Sequence, residues 1–315
     1  MTSMLSTHLS NVINLIGNTP LVELKKLNSN PKVRIFAKLE GQNPTGSLKD
    51  RIALFMLKAA EESGQLEKGQ AVLEATSGNT GISLAFLCGL KGYKLTVVMP
   101  DNVTEERTQL IRAYGADIVY SEGSKGTNGA IEMAKELGEK GNYFLPDQYS
   151  NPANIAAHYE TTAIEILEEL GNVDYLVAGL GTGGTLMGAG KRLKEHNANC
   201  RLIAIQPYPS GGLAGLRNLS DGFVPPILDL SLIDENIIVK DMAAFEATKK
   251  LLEVEGIFAG ISSGAAASEA VKLASNIDEG TIVTVFPDSG WKYLSQGIWT
   301  KPPEEISKGY DGPLW

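Results

Sequence analysis

Three loops carry the residue types that bind and orient small anions: TSGNTG at 76–81, GLGTGGT at 179–185 and GISSGA at 260–265. Each follows an apolar, strand-like run and precedes a helical pattern. At such a junction the first N–H groups of the helix are free and its dipole favours an anion. Glycine there supplies positive φ and lets the backbone approach a ligand closely. TSGNTG also offers hydroxyls, which suits a carboxylate. A fourth segment, NPTGSLKDR at 43–51, supplies an amine. Lys49 follows a Pro/Gly/Ser turn at the start of a helical pattern, a position from which a side chain can enter a cleft. Its amine becomes a base or nucleophile only when desolvated or held near other groups. By local spacing alone, Lys49 reads as a solvated member of a Lys49-Asp50-Arg51 charge cluster, and TSGNTG could equally be an ordinary strand-to-helix turn.

Gly179, Gly181 and Gly184 satisfy GxGxxG, the fingerprint of a dinucleotide site. That reading needs an acidic residue about 20 positions on, at the end of the next strand. The corresponding run ends Ile205-Gln206-Pro207, without Asp or Glu. A nucleoside-triphosphate loop fares worse, because GxxxxGK[ST] is missing. The third reading takes GTGGT as a cup for a phosphate monoester, the anchor of pyridoxal phosphate. That chemistry also demands a lysine that can lose its proton, which returns attention to Lys49.

The elements that must position these loops alternate along the chain. Val33 to Leu39 places Val33, Ile35, Ala37 and Leu39 on one face, which predicts a strand pairing with Leu21 to Leu24. A helix is predicted from the lysine segment to Ser63, stopped by Gly64. Strands are expected at 71–75, 95–99, 117–120, 143–145, 175–178, 202–205, 237–239 and 282–286. Helices are expected between them, one capped by Thr104 and a long one over 151–170. Short apolar strands separated by helices predict an α/β protein with largely parallel sheets covered on both faces. With 315 residues, of which 43% are hydrophobic, about two domains are expected, changing near Asn151.

The net charge of −9 and the lack of a basic stretch exclude nucleic acid as the main partner. No long apolar run suits a bilayer, and residues 1–11 do not read as a signal peptide, so a cytoplasmic protein is expected. Cys88 and Cys200 lack the spacing of a disulfide scaffold or a zinc site, so no metal is expected. Cys88 reads as a core residue. His8, His158 and His196 fall outside the loops and read as structural.

Taken together, NPTGSLKDR, EATSGNTGISLA, DQYSNPAN, GTGGTLMG and GISSGAA resemble, in this order, the motifs of fold-type II pyridoxal-phosphate enzymes. Cysteine synthase, also called O-acetylserine sulfhydrylase, is the family most resembled, and the likeness covers nearly the whole chain. The resemblance implies two doubly wound three-layer domains, similar to the tryptophan synthase β chain, with pyridoxal phosphate in the cleft between them. Residues 43–152 would form the smaller, mobile domain; 11–42 and 153–315 would form the larger. Lys49 would carry the cofactor as a Schiff base. Asn79 would bond its 3′-oxygen, Gly181, Thr182, Gly183, Gly184 and Thr185 its phosphate, and Ser262 its pyridine nitrogen. Thr76, Ser77, Asn79, Thr80 and Gln148 would hold the amino-acid substrate; alone, Gln148 and Ser262 would read as turn residues. The implied reaction is a β-replacement on an O-activated L-serine. Lys49 takes the Cα proton, the β-substituent leaves, a sulfur nucleophile adds at Cβ, and Lys49 returns the proton. A homodimer is implied as well.

The chain departs from the common sulfhydrylase pattern, which has an IQGIGAGF-like stretch where this one reads GGLAGLRNLSDGFVPP (211–226). With DSGWKYLS (288–295) and the ending GPLW, this resembles the cysteine synthase B branch that uses O-phospho-L-serine. Arg217 would then pair with the substrate phosphate, and the tail through Trp315 would close over the site. The sulfur donor stays open among sulfide, thiosulfate and a thiocarboxylated carrier protein. Cystathionine β-synthase and serine/threonine dehydratase share the fold, although the dehydratase lysine motif reads more like SFKxRGA. A catalytically silent binding protein would show a missing lysine or a broken phosphate loop, and both are intact.

Overall fold

Ten strands build two sheets in a computed structural model that describes residues 11–76, 78–209, 213–302 and 305–306. They are β1 (Leu21–Glu23), β2 (Val33–Leu39), β3 (Ala71–Ala75), β4 (Leu95–Pro100), β5 (Asp117–Ser121), β6 (Tyr143–Phe144), β7 (Tyr175–Gly179), β8 (Arg201–Pro207), β9 (Glu235–Val239) and β10 (Gly280–Phe286). The first sheet has six strands in the order β1-β2-β10-β7-β8-β9, and the second has four, β5-β4-β3-β6. Every pairing is parallel except that of β1 with β2.

Both sheets are covered on two faces, because successive strand residues feed different cores. Ile35, Val177, Ile203, Ile205 and Ile282 point into one cluster with Phe245 and Ile261. Their neighbours Phe36, Leu176, Leu202, Val283 and Val285 point into another with Ile166 and Leu186. The small sheet divides likewise, with Val72, Leu95 and Val97 on one side and Leu73 and Val98 on the other. The alternation of β2 therefore does not mark a solvated face. Phe36 and Lys38 are buried as well, and the Lys38 ammonium is neutralised by Glu165 at 2.8 Å.

The strand order places the loops. Strands β2, β10 and β7 lie side by side and run the same way, so their carboxyl ends share one edge. That edge emits the segment leading to Lys49, the segment at Asp288 and the GTGGT loop. The carboxyl ends of β3 and β6, adjacent in the other sheet, emit TSGNTG and the segment at Gln148. Ligands of open α/β sheets bind at such edges.

Three local expectations need correction. The GISSGA loop follows a helix and one isolated bridge, Ala259 to Ser289, rather than a sheet strand. That bridge sets Gly260 beside Asp288, whose carbonyl accepts the Gly260 N–H at 3.0 Å. Thr104 does not cap the helix Glu105–Ala113 through its side chain; its hydroxyl donates instead to the carbonyl of Lys292. The long helix starts as expected, with Asn151 accepting from the Ala153 N–H and Pro152 in the first turn. It then widens into a π-turn at His158–Thr162 before continuing to Leu170. Among the described residues no helix is long and apolar enough to cross a membrane.

Candidate active site

The segment 49–51 is not a solvated charge cluster. Asp50 is buried and accepts from the Thr45 N–H at 2.7 Å and from the Thr45 hydroxyl. Arg51, only 1% exposed, donates to both oxygens of Glu40 at 2.8 Å and also grips Glu165. The Leu48 N–H bonds the carbonyl of Pro287, just past β10. With its two neighbours paired into the protein, the helix Lys49–Ser63 starts in one orientation, and Lys49 faces a cavity. Desolvation lowers its ammonium from the usual 10.5 to about 8, against the opposing pull of Asp288.

Two adjoining cavities share Lys49, Asn79, Gly181 and Thr182. The first also takes in Gly183, Gly184, Thr185, Ser262, Asp288 and Tyr293. The second takes in Thr76, Thr80, Gln148, Arg107 and Arg217. Every candidate site residue that is described therefore lines one of the two, and Ser77 and Trp315 lie outside the described residues.

The loops are pinned from behind. Thr80 donates to Gln148 Oε1 at 2.6 Å, and Gln148 Nε2 donates to the carbonyl of Ala75. Asn154 Nδ2 bonds both the Gln148 carbonyl at 2.8 Å and the Thr182 hydroxyl at 2.9 Å. A Cβ at Gly184 would overlap the Asn154 amide, so any other residue there must displace the side chain that holds Gln148 and Thr182. Behind Thr185 stands His158, buried and bonded to Thr162 through Nδ1. Desolvation, reinforced by the charges of Lys49 and Arg51 against those of Glu40 and Glu165, lowers it to about 3. It is a neutral buttress at physiological pH. His196 is exposed at a helix end, and His8 lies outside the described residues. Burial raises both thiols, Cys88 and Cys200, to about 12, so neither is a nucleophile.

The position where a dinucleotide site would need an acid has another task. Gln206 at the end of β8 is committed to Asn236 and to the Leu219 N–H, and it braces the segment carrying Arg217.

The family model for pyridoxal-phosphate-dependent enzymes matches residues 12–288. A cysteine synthase from Staphylococcus aureus is 43% identical over 300 residues, covering 92% of this chain and 97% of that protein. Among solved structures, a cysteine synthase from Entamoeba histolytica superposes with a TM-score of 0.88 at 34% identity, covering 98% of this chain and 97% of its own. A hydrogen sulfide-producing enzyme from Fusobacterium nucleatum gives 0.86 at 43% identity, covering 91% and 100%. The chain belongs to the cysteine synthase family of pyridoxal-phosphate-dependent enzymes.

Members of this family use pyridoxal phosphate, and several further residues lining or flanking the two cavities gain interest. Asp288 Oδ2 accepts from Asn79 Nδ2 at 2.8 Å and from the Tyr293 hydroxyl at 2.7 Å. Arg107, 3% exposed, lays its stem across Gly78 and its guanidinium over the Tyr293 ring. Gly78 has φ +151, and a Cβ there would strike the Arg107 side chain. Asp288 and Tyr293 sit inside the DSGWKYLS motif, so a signal for them existed. Arg107 lies on an ordinary amphipathic helix, and nothing local distinguishes it.

Proposed function

We propose that this protein is a cysteine synthase that replaces the β-substituent of an O-activated L-serine with sulfur, preferring O-phospho-L-serine. The observation that carries the preference is Arg217. Its guanidinium is 2% exposed yet lines the same cavity as Lys49 and the TSGNTG loop. It is held by neutral groups: Asn128 Oδ1 at 3.0 Å and the faces of Phe223 and Tyr149, 4.6 and 5.4 Å from the ring centroids. Its Nη2 has no hydrogen-bond partner among the described residues. A buried guanidinium with an open fork is suited to bidentate capture of phosphate, and Arg107 adds a second positive charge to the same wall.

The cavity fits pyridoxal phosphate. The loop 181–185 would hold the phosphate at a helix start, where a side chain at position 184 would collide with the Asn154 amide. Lys49 would anchor the aldehyde carbon, Asn79 the ring oxygen and Ser262 the ring nitrogen. When bound, the cofactor acts as an electron sink that acidifies the substrate Cα–H. A serine hydroxyl is a weaker electrostatic partner than a carboxylate, which favours β-elimination over transamination.

The chain's own residues supply the rest. Thr76, Thr80 and the N–H groups of the 76–81 loop clamp the substrate carboxylate, with Gln148 set against them by its bond to Thr80. Lys49, released from the cofactor, removes the Cα proton and later returns it. Arg217 draws the phosphate away from Cβ, leaving that carbon open to the sulfur nucleophile.

The test compares kcat/KM for O-phosphoserine and O-acetylserine, each with sulfide, in wild type and Arg217→Ala. A loss of about 100-fold or more confined to phosphoserine is expected. Undiminished phosphoserine use by Arg217→Ala would sink the preference and leave the β-replacement itself untouched. Repeating the assay with thiosulfate and with a thiocarboxylated carrier protein compares the three sulfur donors.

A further inference from the structure

One buried cation has no part in the chemistry above. Lys292, 0% exposed, lies in the short helix Gly290–Gln296 after β10. Burying an ammonium is costly unless its hydrogens find acceptors. Its Nζ donates to Asn79 Oδ1 at 2.8 Å and stands 5.4 Å from the ring centroid of Trp291. The carboxylates of Asp288 and Asp50 attract its charge, and Arg107 repels it. The backbone of this segment is fixed from several directions. The Ser289 N–H bonds the Gly46 carbonyl and the Gly290 N–H bonds that of Phe258. The Lys292 carbonyl accepts from Thr104.

The chemistry of the two partners fixes the Asn79 amide. An ammonium can only donate and a carboxylate can only accept. Lys292 touches one end of the amide and Asp288 the other. The oxygen must therefore face Lys292, and the nitrogen must face Asp288. Asn79 and Asp288 line the cofactor cavity, and Lys292 is buried behind them. The amide nitrogen carries two hydrogens: one goes to Asp288 Oδ2, and the second is free for an acceptor in the cavity.

We infer that Lys292 is a positioning residue for the cofactor: together with Asp288 it locks the Asn79 amide so that a donor, and never an acceptor, meets the ring oxygen. The inference rests on the reading of Asn79 as the ring-oxygen contact. Without the ammonium, Asn79 Oδ1 loses its donor, and the side chain gains a reason to rotate toward another.

The experiment measures the pyridoxal phosphate dissociation constant by equilibrium dialysis, and the visible cofactor band at fixed pH. Wild type is compared with Lys292→Met, Lys292→Gln, Asn79→Ala and the double variant Asn79→Ala/Lys292→Met. Lys292→Met should weaken retention about tenfold and alter the band. Lys292→Gln, uncharged but still a donor, should stay within about threefold of wild type. The double variant should match Asn79→Ala alone, because the lysine acts through the amide. An unchanged Lys292→Met overturns the inference. So does a double variant that loses a further tenfold, which would mark a purely structural role. If Lys292→Met does not fold, Lys292→Gln decides alone: retention supports the donor role, and a large loss overturns it. An Asn79→Ala enzyme with unaltered band and affinity would remove the Asn79 reading itself, a separate and recognisable failure.

Discussion

The desolvated state of Lys49 makes a prediction about how fast the protein captures its cofactor. The perturbation is pH, applied to the apoenzyme. Attack on an aldehyde needs the neutral amine, so the capture rate follows the unprotonated fraction. With the ammonium lowered to about 8, that fraction at pH 7 is about one in eleven. At the ordinary 10.5 it would be roughly three in ten thousand, about 300-fold less. Stopped-flow absorbance after mixing apoenzyme with pyridoxal phosphate reports the rate directly. It should rise about fivefold between pH 7 and 8, less than about twofold more by pH 9, and level off above that. The profile is read above pH 7, where the cofactor phosphate has finished titrating. Lys292 is also lowered to about 8 by burial, so Lys49→Ala is the necessary control and should capture nothing. A wild-type rate still climbing tenfold per unit at pH 9.5 would show an ordinary, solvated amine and refute the reasoning.

Three other expectations follow from the same geometry. Gly184→Ala forces a methyl group into the Asn154 amide, which holds both Gln148 and Thr182; pyridoxal phosphate affinity should fall about tenfold or more by dialysis. Burial pushes the Glu165 carboxyl up, but bonds and charge from Arg51 and a bond from Lys38 outweigh it and hold the group at about 2. Because that value is depressed, its stabilisation is full above about 4.5 and lost as pH falls toward 2. Glu165→Gln should therefore cost about 3 kcal/mol near neutrality in denaturant titrations, with most of the deficit gone near pH 2. Cys88 and Cys200, both raised to about 12, should resist thiol-specific labelling at pH 8 until the protein is unfolded.

The sequence by itself determined the strand-and-helix alternation, because apolar runs of strand length separated by helical patterns leave few other architectures. It also determined which loops could face a ligand. Glycine, threonine and asparagine at a strand-to-helix junction are a local signal, and that signal survives without tertiary context. Lys49 was different. Its local neighbours Asp50 and Arg51 argued for solvent, and only the burial of both against Thr45, Glu40 and Glu165 turned the lysine inward. The burial of Lys292, although the residue lies inside DSGWKYLS, and that of Arg107 were illegible for a related reason. A lysine or arginine in a polar segment reads as exposed unless its partner is known. Lys292 meets Asn79, and Arg107 meets Tyr293, from distant stretches of chain. Strand order sets β2, β10 and β7 side by side so that their carboxyl ends open on one edge, and Asn79 and Arg107 meet that edge from the other sheet. Local sequence encodes which loops can bind; the pairing of remote strands decides which loops bind together.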